Sequence, residues 1–150
     1  MSFFAGHFWH SLDQKNRLFI PTKLREALGG SFIIYKPQNG DKCLFAYTLS
    51  DWEELSNQLN NQPASKKLTE LQRSTYLRLD TVSVDNQWRI TLSNEFCEFA
   101  GLEKEVFILG AGKRLEIWSR SEYDAMLKRN EERLEKAKEN GEDIEIHLPF

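Results

Sequence analysis

The 150-residue chain has little that would mark it for a membrane, a metal or a redox reaction. No apolar run approaches the roughly 18 residues that a bilayer span needs, and the N-terminus lacks the basic-then-apolar layout of a secretory signal. A soluble cytoplasmic protein is the expectation. Cysteine is scarce: Cys43 and Cys97 stand alone, without a C-x-x-C partner or neighbouring ligands, so they are expected to be reduced, structural thiols. His7 and His10 flank Trp9, but no Cys, Asp or third His completes a nearby set before residue 13, and His147 is remote; no metal is expected. No nucleophile, cofactor motif or phosphate loop stands beside the carboxylates, which excludes an evident enzyme, cofactor or small-molecule substrate.

A surplus of positive charge is missing too. Twenty Lys and Arg face 23 Asp and Glu, a net charge of −3, which weighs mildly against nucleic acid as a partner. Distribution matters more than the sum. Residues 1–30 hold Lys15, Arg17, Lys23 and Arg25 against Asp13 and Glu26, whereas residues 121–150 hold nine acidic against five basic side chains. The acidity sits in the tail, and the front of the chain is free to meet an anion. With 40% hydrophobic residues, the chain can bury one substantial core, or two half-sized ones that need each other's surface.

What the chain does contain is a repeat. Residues 11–21 return as residues 83–93, each copy placing Asp and Arg four apart between short apolar runs: Asp13 and Arg17, then Asp85 and Arg89, at an offset of 72. Downstream the echo continues at an offset of 71. Cys43-Leu44-Phe45-Ala46-Tyr47 answers Arg114-Leu115-Glu116-Ile117-Trp118, and Ser50-Asp51-Trp52 answers Ser121-Glu122-Tyr123. The unit of about 70 residues is longer than a solenoid repeat. It reads as a duplicated fold with one Asp-x-x-x-Arg loop per half.

Local patterns fill in the halves. Phe8, His10 and Leu12 alternate as on a half-buried strand, and residues 18–20 make a second. Between them Asp13 opens a turn and Asn16 tolerates a left-handed backbone, so a β-hairpin is expected with Lys15 and Arg17 at its tip. Pro21 suits the start of a short helix carrying Leu24 and Leu28, stopped at Gly29-Gly30. Strands over 31–36 and 43–47 are expected around a 37–41 turn, then a helix capped by Ser50 and ended near Pro63. A bridging helix is expected over 65–79, from Leu68, Leu71, Thr75 and Leu79. The second copy follows: a strand over 81–84, the 85–89 loop, a strand over 90–92, a Ser93-capped helix stopped by Gly101, and strands over 105–109 and 115–118. A long charged helix over 121–140 and a loose tail over 142–150 complete the chain. The expected division is a first half over 1–56, a helical connector over 57–80, a second half over 81–127, and a charged C-terminal helix and tail over 128–150.

These residues resemble the paired signatures of the MraZ family of bacterial transcriptional regulators, over most of the chain. The match includes the aromatic, Gly-containing start, Leu12-Asp13-x-Lys15-x-Arg17-Leu18-x-Ile20-Pro21, Leu24-Arg25, the central helical spacer, Asp85-x-x-x-Arg89-Ile90 and Leu115-Glu116-Ile117-Trp118. One Asp-x-x-x-Arg would carry no signal; two in this order, each with its short helix and hairpin, are specific. The resemblance implies an α+β fold of tandem β-hairpin and short-helix modules, an AbrB-like swapped-hairpin barrel. It also implies a nucleoid-associated ring of subunits binding tandem repeats in double-stranded promoter DNA of the division and cell-wall gene cluster. The residues matching the family's DNA-contacting motif are Lys15, Arg17 and Arg89, with Asp13, Asn16 and Asp85 organising the loops. Two departures stand out: Asn16 where the family usually has Gly, and Gln87-Trp88 where Lys and Gly are expected. Trp is costly at positive φ, so the second loop is expected either to change its turn or to bury the ring.

The chemistry fits duplex DNA. Lys supplies a point charge for phosphate, while Arg can fork onto guanine O6 and N7 in a major groove that admits a two-stranded β-ribbon. The bland alternative for each Asp–Arg pair is a surface salt bridge across a turn. Trp9, Trp52, Trp118, Tyr47 and Tyr123 could stack bases, but Tyr47 with Trp118 and Trp52 with Tyr123 are repeat-equivalent and suit a duplicated core. Another class remains open: a non-enzymatic ring scaffold that binds a protein partner through its acidic C-terminal helix.

Overall fold

The computed structural model describes residues 3–142 and 148–150. Among these residues eight strands and five helices follow one another as β1 (His7–Ser11), β2 (Arg17–Phe19), α1 (Thr22–Leu28), β3 (Ser31–Tyr35), β4 (Leu44–Thr48), α2 (Leu49–Asn60), α3 (Lys66–Tyr76), β5 (Leu79–Ser83), β6 (Arg89–Thr91), α4 (Asn94–Ala100), β7 (Glu105–Gly110), β8 (Leu115–Ser119) and α5 (Arg120–Glu139). The class is the expected mixed α+β. Six strands form an antiparallel sheet in the order β1-β7-β8-β4-β3-β5, and β2 and β6 form a separate antiparallel ribbon.

The duplication is written into that order. The repeat makes β1 equivalent to β5, β3 to β7 and β4 to β8, and exchanging equivalents reads the sheet backwards about its central β8–β4 pair. Each half therefore lends its first strand to the other half's hairpin: β1 pairs with β7 and β5 with β3. The ribbon is shared in the same way, Leu18 facing Ile90 in register. Among the described residues helix α3 has no counterpart in the second half. It ends at Tyr76, short of the expected residue 79, because the chain turns at Leu77 and Arg78 and Leu79 is recruited into β5 opposite Tyr35.

This corrects the expected local hairpin. Between β1 and β2 the backbone pairing is a single isolated bridge, Leu12 to Leu18, just beyond β1; their ladders are made with β7 and β6, far along the chain. Alternation alone predicts that a strand has one buried face, and it says nothing about which partner fills the ladder.

Most of the core lies between sheet and ribbon. Leu18, Ile90 and Ile34 are fully buried, together with Phe4, Phe32, Leu44, Leu92, Val106, Ile108 and Ile117. Each such side chain contributes about 1.5–3 kcal/mol on burial. A second cluster, on the other side of the hairpins, holds Cys43, Phe45, Phe107 and Trp118, with Tyr47 and Tyr123 against it. There the repeat-equivalent aromatics make equivalent contacts: Tyr47 meets Trp52 and Trp118 meets Tyr123, both at 5.7 Å between ring centroids. The expected core role holds for Trp118, with Tyr47 and Tyr123 packed against its cluster, while Trp52 is half-buried outside it. Both cysteines are buried and unpaired.

Apart from α1, which starts at Pro21 with no side-chain cap, the helices start at side-chain caps. Ser93 accepts from the Phe96 amide and Gly101 ends α4 at φ +60°, as expected. The cap of α2 lies two residues earlier than the expected Ser50, Thr48 accepting from the Asp51 amide, and α5 is capped by Ser119, which accepts from the Glu122 amide. At the start of the chain, Phe4 exchanges two backbone hydrogen bonds with Gly112, and Gly110 donates to the Gly6 carbonyl. Gly110 is required here, since a Cβ would sit 2.4 Å from the Ala5 nitrogen. The 143–147 part of the expected loose tail, including His147, lies outside the described residues.

Candidate nucleic-acid interface

Each Asp-x-x-x-Arg loop is a closed turn built on its aspartate. In the first, Asp13 Oδ1 accepts from the backbone N–H groups of Lys15 (2.9 Å) and Arg17 (2.8 Å), while Oδ2 accepts from Arg17 Nε at 2.7 Å. The Asp13 and Asn16 amides close the turn onto the Arg17 and Asp13 carbonyls. The second loop repeats this almost bond for bond. Asp85 Oδ1 accepts from Gln87 (2.8 Å) and Arg89 (3.0 Å), and Oδ2 accepts from Arg89 Nε at 2.8 Å. Hydrogen bonds to a carboxylate favour its charged form. The backbone N–H of Arg17, chiefly, and that of Arg89 hold the two carboxyls below the ordinary carboxylate range.

The fourth residue of each turn takes the left-handed backbone, Asn16 at φ +59° and Trp88 at φ +57°. Asn tolerates this. Trp88 adopts it without any change of turn, so the first of the two expected outcomes is excluded; its ring is half-buried, under Arg25. These positions also stitch the halves together, since Ile20 N–H donates to the Trp88 carbonyl at 2.8 Å and Leu92 N–H to the Asn16 carbonyl at 2.9 Å. Asn16 Nδ2 reaches Asn94 Oδ1 on α4 at 2.6 Å.

The ribbon brings the loops together. Leu18 and Ile90 point inward, so Arg17, Phe19, Arg89 and Thr91 share the outward face. Arg17 lies opposite Thr91 and Arg89 opposite Phe19, which makes the two arginines diagonal neighbours, about 7–8 Å apart. Each is half-buried and fixed through Nε, and its terminal nitrogens have no hydrogen-bond partner among the described residues. Lys15 and Gln87 are exposed at the tips.

Arg25 is a part of this face that the sequence did not single out beyond its place in a motif. Its Nε donates to the Ile20 carbonyl at 3.0 Å, and its guanidinium lies 4.9 Å from the Phe19 ring centroid and 5.3 Å from that of Trp88. The position of Arg25 one helical turn after Pro21 was visible; that Trp88 would come to it from 63 residues away was not. His7 and His10 lie against Phe107 and Phe19 respectively, and among the described residues no group of three His, Cys, Asp or Glu could hold a metal.

The architecture is that of a duplicated α+β protein whose halves exchange strands to display two aspartate-fixed arginines on one ribbon. A family model described as "MraZ protein, putative antitoxin-like" matches the chain twice, over residues 3–74 and 77–144, and the chain belongs to the MraZ family. A transcriptional regulator MraZ of Acetivibrio thermocellus is 40% identical over 123 residues, 81% of this chain and 85% of the relative. One from Clostridium botulinum (strain Eklund 17B) is 39% identical over 121 residues, 80% and 84% of the two chains. That of Desulforamulus reducens is 36% identical over 142 residues, 94% and 99%. The double match agrees with the repeat read from the two loops. No helix among the described residues is long and apolar enough to cross a membrane.

Proposed function

We propose that this transcriptional regulator binds double-stranded promoter DNA through the β2–β6 ribbon face, with Arg17 and Arg89 as its central contacts and Lys15 beside them. The observation that carries the reading is the pairing of Arg17 and Arg89 as diagonal neighbours on one outward face, each aimed by an aspartate. Fixing Nε to Asp lowers the entropy lost when the remaining donors engage, while leaving terminal nitrogens for a phosphate or a guanine edge. A two-stranded ribbon is of a size the major groove admits.

Asp13 and Asp85 partly neutralise their arginines, and the chain is net acidic, so one subunit makes a weak clamp. A ring that repeats the face at regular spacing binds far better, because each engaged subunit raises the effective concentration of the next. Tandem short repeats upstream of the division and cell-wall gene cluster are the target that such a ring would select, and binding there would place the protein at the nucleoid. The alternative scaffold role for the C-terminal helix is weakened by its composition: α5 carries six basic and six acidic residues, and the acidity of that region falls in residues 142–145 beyond it.

Fluorescence anisotropy with a labelled duplex from upstream of the protein's own gene, carrying one, two or three repeats, tests this alongside sedimentation of the free protein. Affinity that climbs steeply with repeat number, for an oligomer in solution, is expected. Equal, weak retention of the native and a scrambled duplex would remove the reading.

A further inference from the structure

The two loops are near-copies, yet they are not held alike. At the offset of 72, Arg25 corresponds to Cys97, Phe19 to Thr91 and Trp88 to Asn16. The strand exchange sets each loop against the other half's short helix, so the Asn16 loop rests on α4 through one amide hydrogen bond to Asn94. The Trp88 loop rests on α1 through Arg25, whose guanidinium lies near both Phe19 and Trp88 while its Nε is tied to the Ile20 carbonyl. The Ile20 amide in turn donates to the Trp88 carbonyl. Trp88 needs such support, because a bulky residue at φ +57° is strained where glycine would be at ease.

We infer that Arg25 is a positioning residue for the second loop: its cation–π contacts with Phe19 and Trp88 hold the strained turn and thereby aim Arg89. The inference rests on the proposed DNA-binding role for its functional consequence, and on the geometry alone for its structural one. The loops then have different duties. The 13–17 loop, with two basic residues and a light tether, adapts to the duplex, and the 85–89 loop, with Gln87 at its tip and a clamp beneath, is a fixed reference.

Arg25→Ala, Arg25→Lys, Trp88→Gly and the double variant Arg25→Ala/Trp88→Gly separate this role from direct contact. Arg25→Ala is expected to weaken duplex binding about three- to thirtyfold with an unchanged slope of log affinity against log salt. Arg25→Lys should do the same, since an ammonium lacks the planar stacking surface. In the Trp88→Gly background, where glycine takes the turn without strain, the further loss of Arg25 is expected to cost less than about twofold, the size of ordinary non-coupled scatter. A slope reduced by about one would mark a direct phosphate contact and overturn the inference. Equal losses in both backgrounds, or full rescue by lysine, would overturn it too. Hydrogen exchange of the Ile20 amide decides the structural part without DNA. Faster exchange in Arg25→Ala, absent in the double variant relative to Trp88→Gly, supports the clamp, and unchanged exchange refutes it. Should the wild type fail to retain the duplex at all, the proposed function falls while this exchange comparison still judges Arg25.

Discussion

Leu18→Ala tests whether the ribbon is one shared platform. Leu18 is fully buried, faces the equally buried Ile90 across the β2–β6 ladder, and sits in the cluster that joins ribbon to sheet. Truncation removes the buried methyl groups and leaves a cavity that an antiparallel sheet cannot close, a loss of about 2–5 kcal/mol in general. Complete burial between two layers argues for about 3–4 kcal/mol. For a chain of this size each kcal/mol lowers Tm by about 2–4 °C, so a fall of about 6–16 °C is expected in thermal unfolding at fixed protomer concentration. Leu77→Ala, at a residue 80% exposed, should change little and serves as the control. Because Leu18 backs both loops, hydrogen exchange should quicken in 13–17 and in 85–89 together. A cost below about 1 kcal/mol, or quickening confined to the first loop, would refute the shared platform.

Gly110→Ala forces a Cβ to 2.4 Å from the Ala5 nitrogen and 2.6 Å from the Phe4 carbonyl carbon. Backbone cannot yield as a side chain would, so the 3–6 segment should detach, with protease cleavage near Phe4 and a stability loss of about 1–3 kcal/mol or more; an intact, equally stable variant would contradict the docking. Burial pushes both thiols up, Cys43 most strongly. Thiol-reactive dye at pH 8 should therefore label neither cysteine in the folded protein at a rate near that of the unfolded chain, and rapid native labelling would disprove their burial. Asp13 and Asp85 have folded-state values below the unfolded one, so their contribution is present at neutral pH and fades only as pH falls below the ordinary carboxylate range. Loop amides should stay protected to mildly acid pH and lose protection below it, and Asp13→Asn should remove that dependence from the first loop alone; loosening near neutrality would count against the aspartate-built turn.

Much of this was legible because the chain states it twice. The Asp and Arg spacing, the Asn16 backbone, the Ser93 cap and the paired aromatics are local or repeated signals, and local hydrogen bonding decides them. Strand partners were not legible in the local patterns; the resemblance alone implied swapped hairpins. Residues 7–11 and 17–19 have the alternation of a hairpin, and only the competition between a local ladder and the exchanged ladders with β7 and β6 settles the outcome. The caps of α2 and α5 could have been found: Thr48-x-x-Asp51 and Ser119-x-x-Glu122 are capping pairs that coincide at the offset of 71. Leu79 fits the helical rhythm of α3 as well as it fits β5, and tertiary pairing with Tyr35 overrides the propensity. The contact of Arg25 with Trp88 arises from the strand exchange and leaves no mark in either local sequence.

If Arg17 and Arg89 form one DNA-binding face, the salt dependence of duplex affinity must depend on both. Wild type, Arg17→Ala and Arg89→Ala would be titrated against the native upstream duplex by anisotropy between about 50 and 200 mM salt. A steep wild-type slope, weaker binding in both variants, and a shallower slope wherever the lost arginine neutralised phosphate are expected. Binding that is flat in salt, or an Arg89→Ala variant indistinguishable from wild type while Arg17→Ala fails, would contradict the shared face.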